Sequence, residues 1–456
     1  MSVPGNEPGR FPITYPAYDG EEQNRRELPF IIGAIGNFGS AMGREPFRAR
    51  RFVDVPLGSG NATEPQLPRG SGLSYLAARC AGLDSVRVRY FEATAEELAD
   101  DLTRTTRVTE THLYRKVLEE YLGTHGGCPF SVLILDHEFS PESGDLSLLA
   151  GLAWLGMRAH VPVLASPALD FIPTGAAGPR DPQGVCEAFY QDSRFAGWKQ
   201  LRRETSAAYL YMVMPRLFVC QPDASEVNPQ LKLAADQHPA ETTPMNPAYP
   251  VAANLALAHH TWGWPASISA EVHPRMGFSI CQQTSVEGAV RLPPLRWAEW
   301  LARSGFLPIV GRRGSNYAAI FSCRSVAQTR DDLQLLSMAL VGRLAHHIEA
   351  LHRQARYRDS SSEEFLTSVS QWLAEYCQEG ESPAASPSGG YPLRRGSVRI
   401  LDLTAQDVVL RLEVTPNFLG VERPPNLVTN LHVSRREWRG AARAARADEG
   451  GAELRV

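Results

Sequence analysis

A strand–helix–strand pattern in the first half of the chain restricts the fold more than any other feature. Ser131–Leu135 (SVLIL) and Val161–Ala165 (VPVLA) are short apolar runs, and Asp145–Ala159 between them carries leucines along one helical face. Strands that are apolar on both faces and joined by a helix are typical of a parallel sheet that is covered on both sides. The sequence therefore predicts an α/β fold with a mixed-sheet core domain.

Further elements follow from capping residues and periodicity. Thr94 with Glu97 and Ser361 with Glu364 are spaced as capping boxes, each of which predicts the start of a helix. The longest apolar stripe at helical spacing predicts a helix over Leu333–His352. Apolar or alternating runs predict strands over residues 28–35, 51–55, 86–90, 209–214, 397–403, 407–414 and 427–433.

Composition suggests where these elements are separated. Stretches rich in Gly, Pro and Ser predict linkers, and the two ends of the chain lack apolar periodicity. We expect a flexible N-terminal arm over residues 1–27, a strand segment and linker over 28–71, a core over 72–379, a second linker over 380–396, a C-terminal strand module over 397–433 and a tail over 434–456.

The net charge, the hydrophobic runs and the cysteines indicate which partners and which cellular compartment to expect. The 456 residues carry a formal net charge of −4, which gives no reason to expect nucleic acid as a partner. No apolar run approaches the roughly 20 residues of a membrane span, and the N-terminus lacks a signal-peptide pattern, so we expect a cytoplasmic protein without membrane insertion. The 7 cysteines form no C-x-x-C pair, so they predict reduced thiols and neither zinc nor redox chemistry.

One polar run could indicate catalysis. Asp136, His137 and Glu138 directly follow an apolar strand, where open α/β sheets bind ligands. Adjacent residues on an extended chain point to opposite faces, so the three cannot converge on one atom without a turn. We favour a hydrogen-bonding role at the strand end, and an enzyme that uses Asp136 and His137 is kept as an alternative.

Histidines, glycines and serines often form catalytic or binding sites, but in this sequence they do not have the spacing that such sites require. The histidines at 259–260, 346–347 and 352 lack the separation of four residues that zinc-binding helices use. Gly33, Gly36 and Gly39 do not fit a phosphate-binding loop, and they predict close backbone approach or a bend within a strand instead. A G-x-S-x-G nucleophile elbow is absent from the sequence. The sequence thus predicts no catalytic, metal-binding or cofactor-binding site.

Several stretches between Leu73 and Val433 resemble, in the same order, the large sheath subunit of type VI secretion, the TssC/VipB family. They are SVRVRYFEATAEELADDL, THLYRKVLEEYLGTHGG, VLILDHEFSPESGDLSLLAGLAWLGMRAHVPVLASPAL, WKQLRRETSAAYLYMVMPRLFV and GFLPIVGRRGSNYAAIFSCRS. The residues that match the family motifs most directly are Asp136, Glu138, Phe139, Pro215, Arg216, Gly305 and Phe306. The resemblance implies a contractile-sheath fold and a structural role.

The front of the chain departs from that family. The long helical segment that usually opens the large subunit is missing, which puts recycling by a disassembly ATPase in doubt. RRELPFIIGAIGNFGS and RARRFVDV instead resemble the opening of the small sheath subunit, TssB/VipA. We therefore predict a large-subunit core over 72–379 that is preceded by a small-subunit-like segment over 28–71.

Membership of the sheath family implies assembly by strand exchange, in which terminal strands of one protomer complete a sheet in its neighbour. The predicted exchange residues are Leu28, Phe30, Ile31, Ile32, Val408, Leu410, Leu412, Leu427, Thr429 and Leu431. The implied partners are other copies of the chain, a separate small sheath subunit, an inner-tube protein and a baseplate. Two alternatives stay open: the terminal strands pair within their own chain, or the protein is a baseplate or adaptor relative that does not polymerise.

Overall fold

The computed structural model describes fifteen segments of the chain, which divide into two compact units. The described residues are 10–19, 22–57, 72–103, 110–119, 128–168, 171, 187, 189–217, 244–279, 295–311, 317–328, 334–353, 361–378, 390–403 and 407–434. Pro29–His260 and Ser267–Ala339 form the core unit, and Met1–Leu28, Thr261–Ala266 and Leu340–Val456 form the terminal unit.

Strands and helices alternate through most of the described chain. The strands are β1 (Thr14–Asp19), β2 (Glu22–Glu27), β3 (Phe30–Gly36), β4 (Val53–Val55), β5 (Val86–Glu92), β6 (Val132–Phe139), β7 (Val163–Pro167), β8 (Leu210–Met214), β9 (Phe278–Ser279), β10 (Phe306–Gly311), β11 (Tyr317–Ile320), β12 (Leu393–Leu403), β13 (Asp407–Pro416) and β14 (Leu427–Ser434). The α-helices of six or more residues among the described residues are α1 (Gly72–Arg79), α2 (Ala95–Thr103), α3 (Ser143–Ala159), α4 (Ala196–Leu201), α5 (Ala248–Trp262), α6 (Leu295–Arg303), α7 (Gln334–Arg353) and α8 (Ser362–Ala374).

The core unit is built on one mixed sheet of nine strands in the order β4-β5-β3-β6-β7-β8-β10-β11-β9. The strands from β5 to β10 run parallel to their neighbours, while β4, β11 and β9 pair antiparallel at the two ends. Helix α3 connects β6 to β7, as the strand–helix–strand pattern predicts, and its leucines are buried in the core. The predicted α/β class with a mixed sheet is confirmed.

Strand β3 lies inside this sheet and is hydrogen-bonded on both sides. It pairs with β5 from Phe30↔Val86 to Gly36↔Glu92, and with β6 from Ile32↔Val132 to Gly36↔Asp136. All seven of its residues are buried, and each fully buried large apolar side chain contributes about 1.5–3 kcal/mol. Gly33 allows the close approach that its position predicts, since a Cβ there would lie 2.7 Å from a methyl carbon of Leu133.

Local capping explains where two helices begin. The Thr94 hydroxyl accepts from the Glu97 amide at 3.3 Å, and the Glu97 carboxylate accepts from the Thr94 amide at 3.0 Å. Ser361 and Glu364 make the same reciprocal pair at the start of α8. Both predicted capping boxes are therefore present. No helix among the described residues combines the length and hydrophobicity needed to cross a membrane.

The terminal unit holds two smaller antiparallel sheets. Strands β1 and β2 form a hairpin from Thr14↔Glu27 to Asp19↔Glu22. Strands β12, β13 and β14 form a three-stranded sheet with β13 in the middle. The prediction of a flexible arm over residues 1–27 is corrected in part, because Thr14–Asp19 and Glu22–Glu27 within it are paired strands. Most of the predicted linkers and the tail beyond residue 434 lie outside the described residues.

Candidate functional site: a strand-end polar cluster and the terminal strands

A polar cluster, which we call the Asp136 cluster, forms where β6 approaches the start of α5. The Tyr249 hydroxyl donates to one carboxylate oxygen of Asp136 at 2.9 Å, and the Asn246 amide donates to the other at 3.3 Å. The Asn246 amide also donates to the Leu135 carbonyl at 2.9 Å, and its oxygen accepts from the Ala248 amide at 2.9 Å. Asn246 therefore caps α5 and connects that helix to the end of the strand.

Burial and a neighbouring carboxylate change the pKa of the tyrosine in this cluster. Desolvation, together with the neighbouring Asp136 carboxylate, raises the pKa of Tyr249 well above its ordinary value. The hydroxyl therefore keeps its proton and remains a hydrogen-bond donor. Each carboxylate oxygen of Asp136 thus accepts one hydrogen bond from a side chain at the start of α5, which stabilises the carboxylate at the strand end.

The next two residues of β6 point to other surroundings. The Glu138 carboxylate pairs with the Arg216 guanidinium at 3.3 Å, and Arg216 also donates to the Pro244 carbonyl at 3.4 Å. His137 is half-buried, and desolvation lowers its pKa below the ordinary value against the attraction of the nearby carboxylates. Asp136, His137 and Glu138 thus do not converge on one point.

Gly305 and Phe306 lie at the start of β10, in a turn that Trp198 and Arg202 contact. The Trp198 indole donates to the Ser304 carbonyl at 3.1 Å, and its ring stacks on Phe306 at a centroid distance of 5.5 Å. Arg202 donates to the Arg303 carbonyl at 2.7 Å. Gly305 has φ +96, and a Cβ there would lie 2.8 Å from Nε of Arg202. Both family-motif residues therefore serve the packing of this turn.

The remaining family-motif residues lie on or directly beside strands of the large sheet. Phe139 is buried in the hydrophobic core of the core unit, and Pro215 follows directly after β8, next to Arg216. Among the described residues, no group of three or more His, Cys, Asp or Glu side chains could hold a metal ion. Phe139 is therefore surrounded by hydrophobic packing contacts.

The predicted exchange residues divide into three groups. Phe30, Ile31 and Ile32 lie on β3, inside the large sheet, and the carbonyl of Leu28 just before them accepts from the Arg343 guanidinium. Val408, Leu410 and Leu412 are buried on β13, which pairs with strands on both sides. Leu427, Thr429 and Leu431 lie on β14, which within the described residues pairs on one side alone. Only the third group therefore lies on an edge strand.

The N-terminal hairpin is attached through its first strand. The Thr14 carbonyl accepts from the Trp372 indole at 2.7 Å and from the Tyr376 hydroxyl at 2.7 Å, and the Thr14 amide donates to that hydroxyl at 2.9 Å. Arg25 of β2 pairs with Glu375. These contacts hold β1 and β2 against the end of α8 within the terminal unit.

His347 packs against the same hairpin. Its ring stacks on Trp372 at a centroid distance of 6.0 Å and meets the edge of Tyr15 at 5.9 Å, and Nδ1 lies 2.7 Å from the Arg343 carbonyl. Burial and the Arg343 charge lower the pKa of His347 to about 3, so the ring is neutral in the folded protein. His347 therefore contributes to packing within the terminal unit.

Sequence inspection missed three polar contributors. Asn246 and Tyr249 approach Asp136 from 110 and 113 residues further along the chain, and no spacing pattern connects them. Arg50, which is buried, binds both carboxylate oxygens of Glu97 at 2.7 Å, although only the capping role of Glu97 was predicted. In each case the local sequence pattern contains no information about the distant partner.

The fold and these contacts define an α/β protein whose strand-end polar residues stabilise the structure and whose terminal strands form separate small sheets. The chain belongs to the VipB family: residues 69–327, more than half of the 456, match the family model described as EvpB/VC_A0108, tail sheath N-terminal domain. The predicted TssC/VipB family membership is thereby confirmed.

Two individual proteins are similar to this chain. The type VI secretion system sheath protein TssC1 of Pseudomonas aeruginosa strain PAO1 is 22% identical over 340 residues, which cover 67% of each protein. A chain in the cryo-EM structure of the anti-feeding prophage (AFP) baseplate, 6-fold symmetrised, aligns over 96% of both chains with a TM-score of 0.44 and 11% identity. A likeness this loose carries no conclusion about the fold or the role of the present chain.

Proposed function

We propose that the chain is a structural sheath protomer of a type VI-like contractile machine in the cytoplasm. It polymerises by strand exchange into a helical tube around an inner-tube protein, and one end of the tube meets a baseplate. The observation that carries the proposal is the match of residues 69–327 to the tail sheath domain family. The protein acts through assembly and not through catalysis.

The terminal unit supports assembly by strand exchange. It contains a hairpin and a three-stranded sheet, and within the described residues the edge strand β14 pairs with another strand on one side alone. An unpaired strand edge is a ready template for another chain. A contact that joins two different surfaces and does not close on itself generates an open helical polymer. The exchange residues on β14 are better placed for this role than those on β3 and β13.

The position of β3 bears on the need for a separate small subunit. Phe30–Gly36, within the segment that resembles the small subunit, lies outside the matched residues 69–327 and yet occupies an interior place in the large sheet. We propose that the chain completes this sheet from its own sequence, so that one polypeptide suffices for the sheath.

Electron microscopy of the full chain expressed alone tests both proposals. A self-sufficient sheath protomer forms tubes without any other sheath protein. Tubes that appear only on co-expression with a small sheath subunit would contradict the single-polypeptide proposal and keep the sheath function. Compact particles of fixed size at every concentration, with and without such a partner, would overturn the sheath proposal in favour of a baseplate or adaptor role.

Deletion of the N-terminal hairpin tests whether β1 and β2 take part in strand exchange. Removal of residues 1–27 leaves β3 in place, whereas a deletion through Gly43 would also remove an interior strand of the large sheet and unfold the core. If the N-terminal hairpin takes part in exchange, the shorter deletion abolishes tubes while the far-ultraviolet circular dichroism stays close to that of the full chain. Normal tubes would exclude the hairpin as an exchange element.

A further inference from the structure

We propose that residues 37–52, which we call the strap, are held across the end of β5 by Glu92 and Arg50 and open as one cooperative unit. While the strap is closed, β3 and β4 stay on their own chain. The proposal rests on the proposed function, because it names what keeps the N-terminal segment in place in a sheath made of one polypeptide. It depends on the path of the chain around β5 and on the contacts of two buried charged side chains.

The strap connects two strands that lie on opposite sides of β5. Strand β3 ends at Gly36 and pairs parallel with β5, whereas β4 begins at Val53 and pairs antiparallel with the other side of β5. The strap therefore passes over the carboxyl end of β5. Both β3 and β4 lie outside the residues 69–327 that match the tail sheath family, while β5 lies inside them. The N-terminal segment thus flanks a strand of the family domain on both sides.

Glu92, the last residue of β5, binds the beginning of the strap. It is only 4% exposed. Its carboxylate accepts hydrogen bonds from the amides of Phe38 at 2.8 Å, Gly39 at 3.0 Å and Ser40 at 3.2 Å. Gly39 has φ +68, and a left-handed residue of this kind turns successive amides toward one anion. A buried carboxylate is costly unless it is hydrogen-bonded, so these three amides compensate for its burial.

Arg50, which is also 4% exposed, binds the middle of the strap. Its guanidinium donates to the backbone carbonyls of Gly43 at 3.0 Å and Glu45 at 2.8 Å. It also donates to the backbone carbonyl of Glu92 at 3.0 Å and to both carboxylate oxygens of Glu97 at 2.7 Å. Arg50 thereby connects the middle of the strap to the end of β5 and to the first turn of α2.

Aromatic contacts add apolar packing between the strap and the same strand. Phe38 meets the edge of Tyr90 at a centroid distance of 5.6 Å. Phe47 and Phe52 pack on Phe91 at centroid distances of 5.4 and 5.2 Å. Together with the hydrogen bonds of Glu92, these contacts attach the beginning, the middle and the end of the strap to three consecutive residues of β5.

The burial of both charges is the reason to expect cooperative opening. A buried charge that loses its partner is strongly destabilising. Water can reach Glu92 when the beginning of the strap moves away, and it can reach Arg50 when the middle moves away. The Gly43 amide donates to the Ser40 carbonyl at 3.1 Å, which joins these two parts. Closure of the whole strap should therefore depend on each of the two charges.

Hydrogen–deuterium exchange of the full chain tests the strap and does not require tubes. Glu92→Gln removes the charge that the amides of residues 38–40 bind, so their exchange should accelerate about tenfold or more. Glu97→Gln removes the charged partner of Arg50 but keeps the start of α2, because glutamine also serves in a capping box. If the strap opens as a unit, E97Q should accelerate exchange of residues 38–40 about threefold or more, although the hydrogen-bond partners of Glu97 are Arg50 and Thr94.

Glu45→Gln is the matched control. It makes the same change from carboxylate to amide inside the strap, but the Glu45 side chain is exposed, and its backbone carbonyl, not its carboxylate, binds Arg50. Exchange of residues 38–40 in E45Q should stay within about twofold of the rate in the unaltered chain. If circular dichroism shows that E92Q does not fold, the comparison of E97Q with E45Q still decides the proposal.

Two results would overturn the proposal. Faster exchange of residues 38–40 in E92Q with no change in E97Q would show that the two charges hold separate contacts. Equal exchange of these residues in E97Q and E45Q when E92Q does not fold would exclude cooperative opening as well.

The outcomes also separate this proposal from the proposed function. Tubes of the unaltered chain without coupling between Glu97 and residues 38–40 would leave the sheath function standing and refute the cooperative strap. Coupled exchange in a chain that forms only compact particles would support the strap and contradict the sheath function.

Discussion

The Tyr249 hydroxyl donates a hydrogen bond to the Asp136 carboxylate at 2.9 Å, across 113 residues of sequence. This contact connects the start of α5 to the carboxyl end of β6, at the position where open α/β sheets commonly bind ligands. The cluster occupies the Asp136 carboxylate with donors from the same chain. Asp136, which the sequence offered as a candidate for an active site, therefore takes part in hydrogen bonds that join β6 to α5.

Replacement of Tyr249 by Phe should destabilise the core unit. The variant removes one of the two side-chain donors to Asp136, and a hydrogen bond to a charged group contributes about 1.5–3 kcal/mol. Urea unfolding followed by tryptophan fluorescence should show a free energy of unfolding lower by about that amount. Tyr190→Phe is the matched control, since Tyr190 is exposed and should change stability little. Equal stability of Y249F and Y190F would contradict the assignment.

The Arg50–Glu97 pair should make stability depend on pH in the acid range. Its hydrogen bonds with Arg50 lower the pKa of Glu97. The contribution to stability is therefore complete above the ordinary unfolded pKa of about 4.3 and is lost as the pH falls through the lower folded value. In Glu97→Gln, melting temperature should fall less steeply with acidification below pH ~4.3 than in the unaltered chain. Glu271→Gln, at an exposed loop position, should leave the slope unchanged.

His347 should make the stability of the fold depend on pH over a range that extends higher than that of Glu97. Its pKa is about 3 in the folded state, whereas an unfolded histidine titrates near 6.5. The unfolded chain therefore binds a proton that the folded chain does not, and stability decreases as the pH falls from ~6.5 toward the folded value. His347→Gln should flatten the decrease in melting temperature between those values, with His112→Gln as the control. The same slope in both variants would contradict the assignment.

Gly305 should tolerate a side chain poorly. Its φ of +96 disfavours any L-residue, and the added Cβ would lie 2.8 Å from Nε of Arg202. Gly82 is the matched control, because its φ is +75 and no atom lies within 4 Å of the added Cβ. Gly82→Ala should cost roughly 1–2 kcal/mol from backbone strain alone. Gly305→Ala should cost more, and a smaller loss of unfolding free energy than in G82A would show that Arg202 and Trp198 move aside easily.

Local patterns in the sequence determined most of the elements. The apolar runs around Asp145–Ala159 predicted two parallel strands and their connecting helix, and the structure has them. The two capping boxes predicted helix starts because both partners lie within four residues of each other. Motif order along the chain also identified the sheath family, which the match over residues 69–327 confirms.

Tertiary structure decided the features that depend on which segments become neighbours. The sequence alone predicted strands over residues 28–35 and 427–433, which the structure has as Phe30–Gly36 and Leu427–Ser434, since apolar periodicity is a local property. It could not determine that the first is paired on both sides while the second lies at an edge. Nor could it connect Tyr249 to Asp136. Strand order and long-range hydrogen bonds follow from the packing of the whole chain, because burial rewards whichever distant segments fit together.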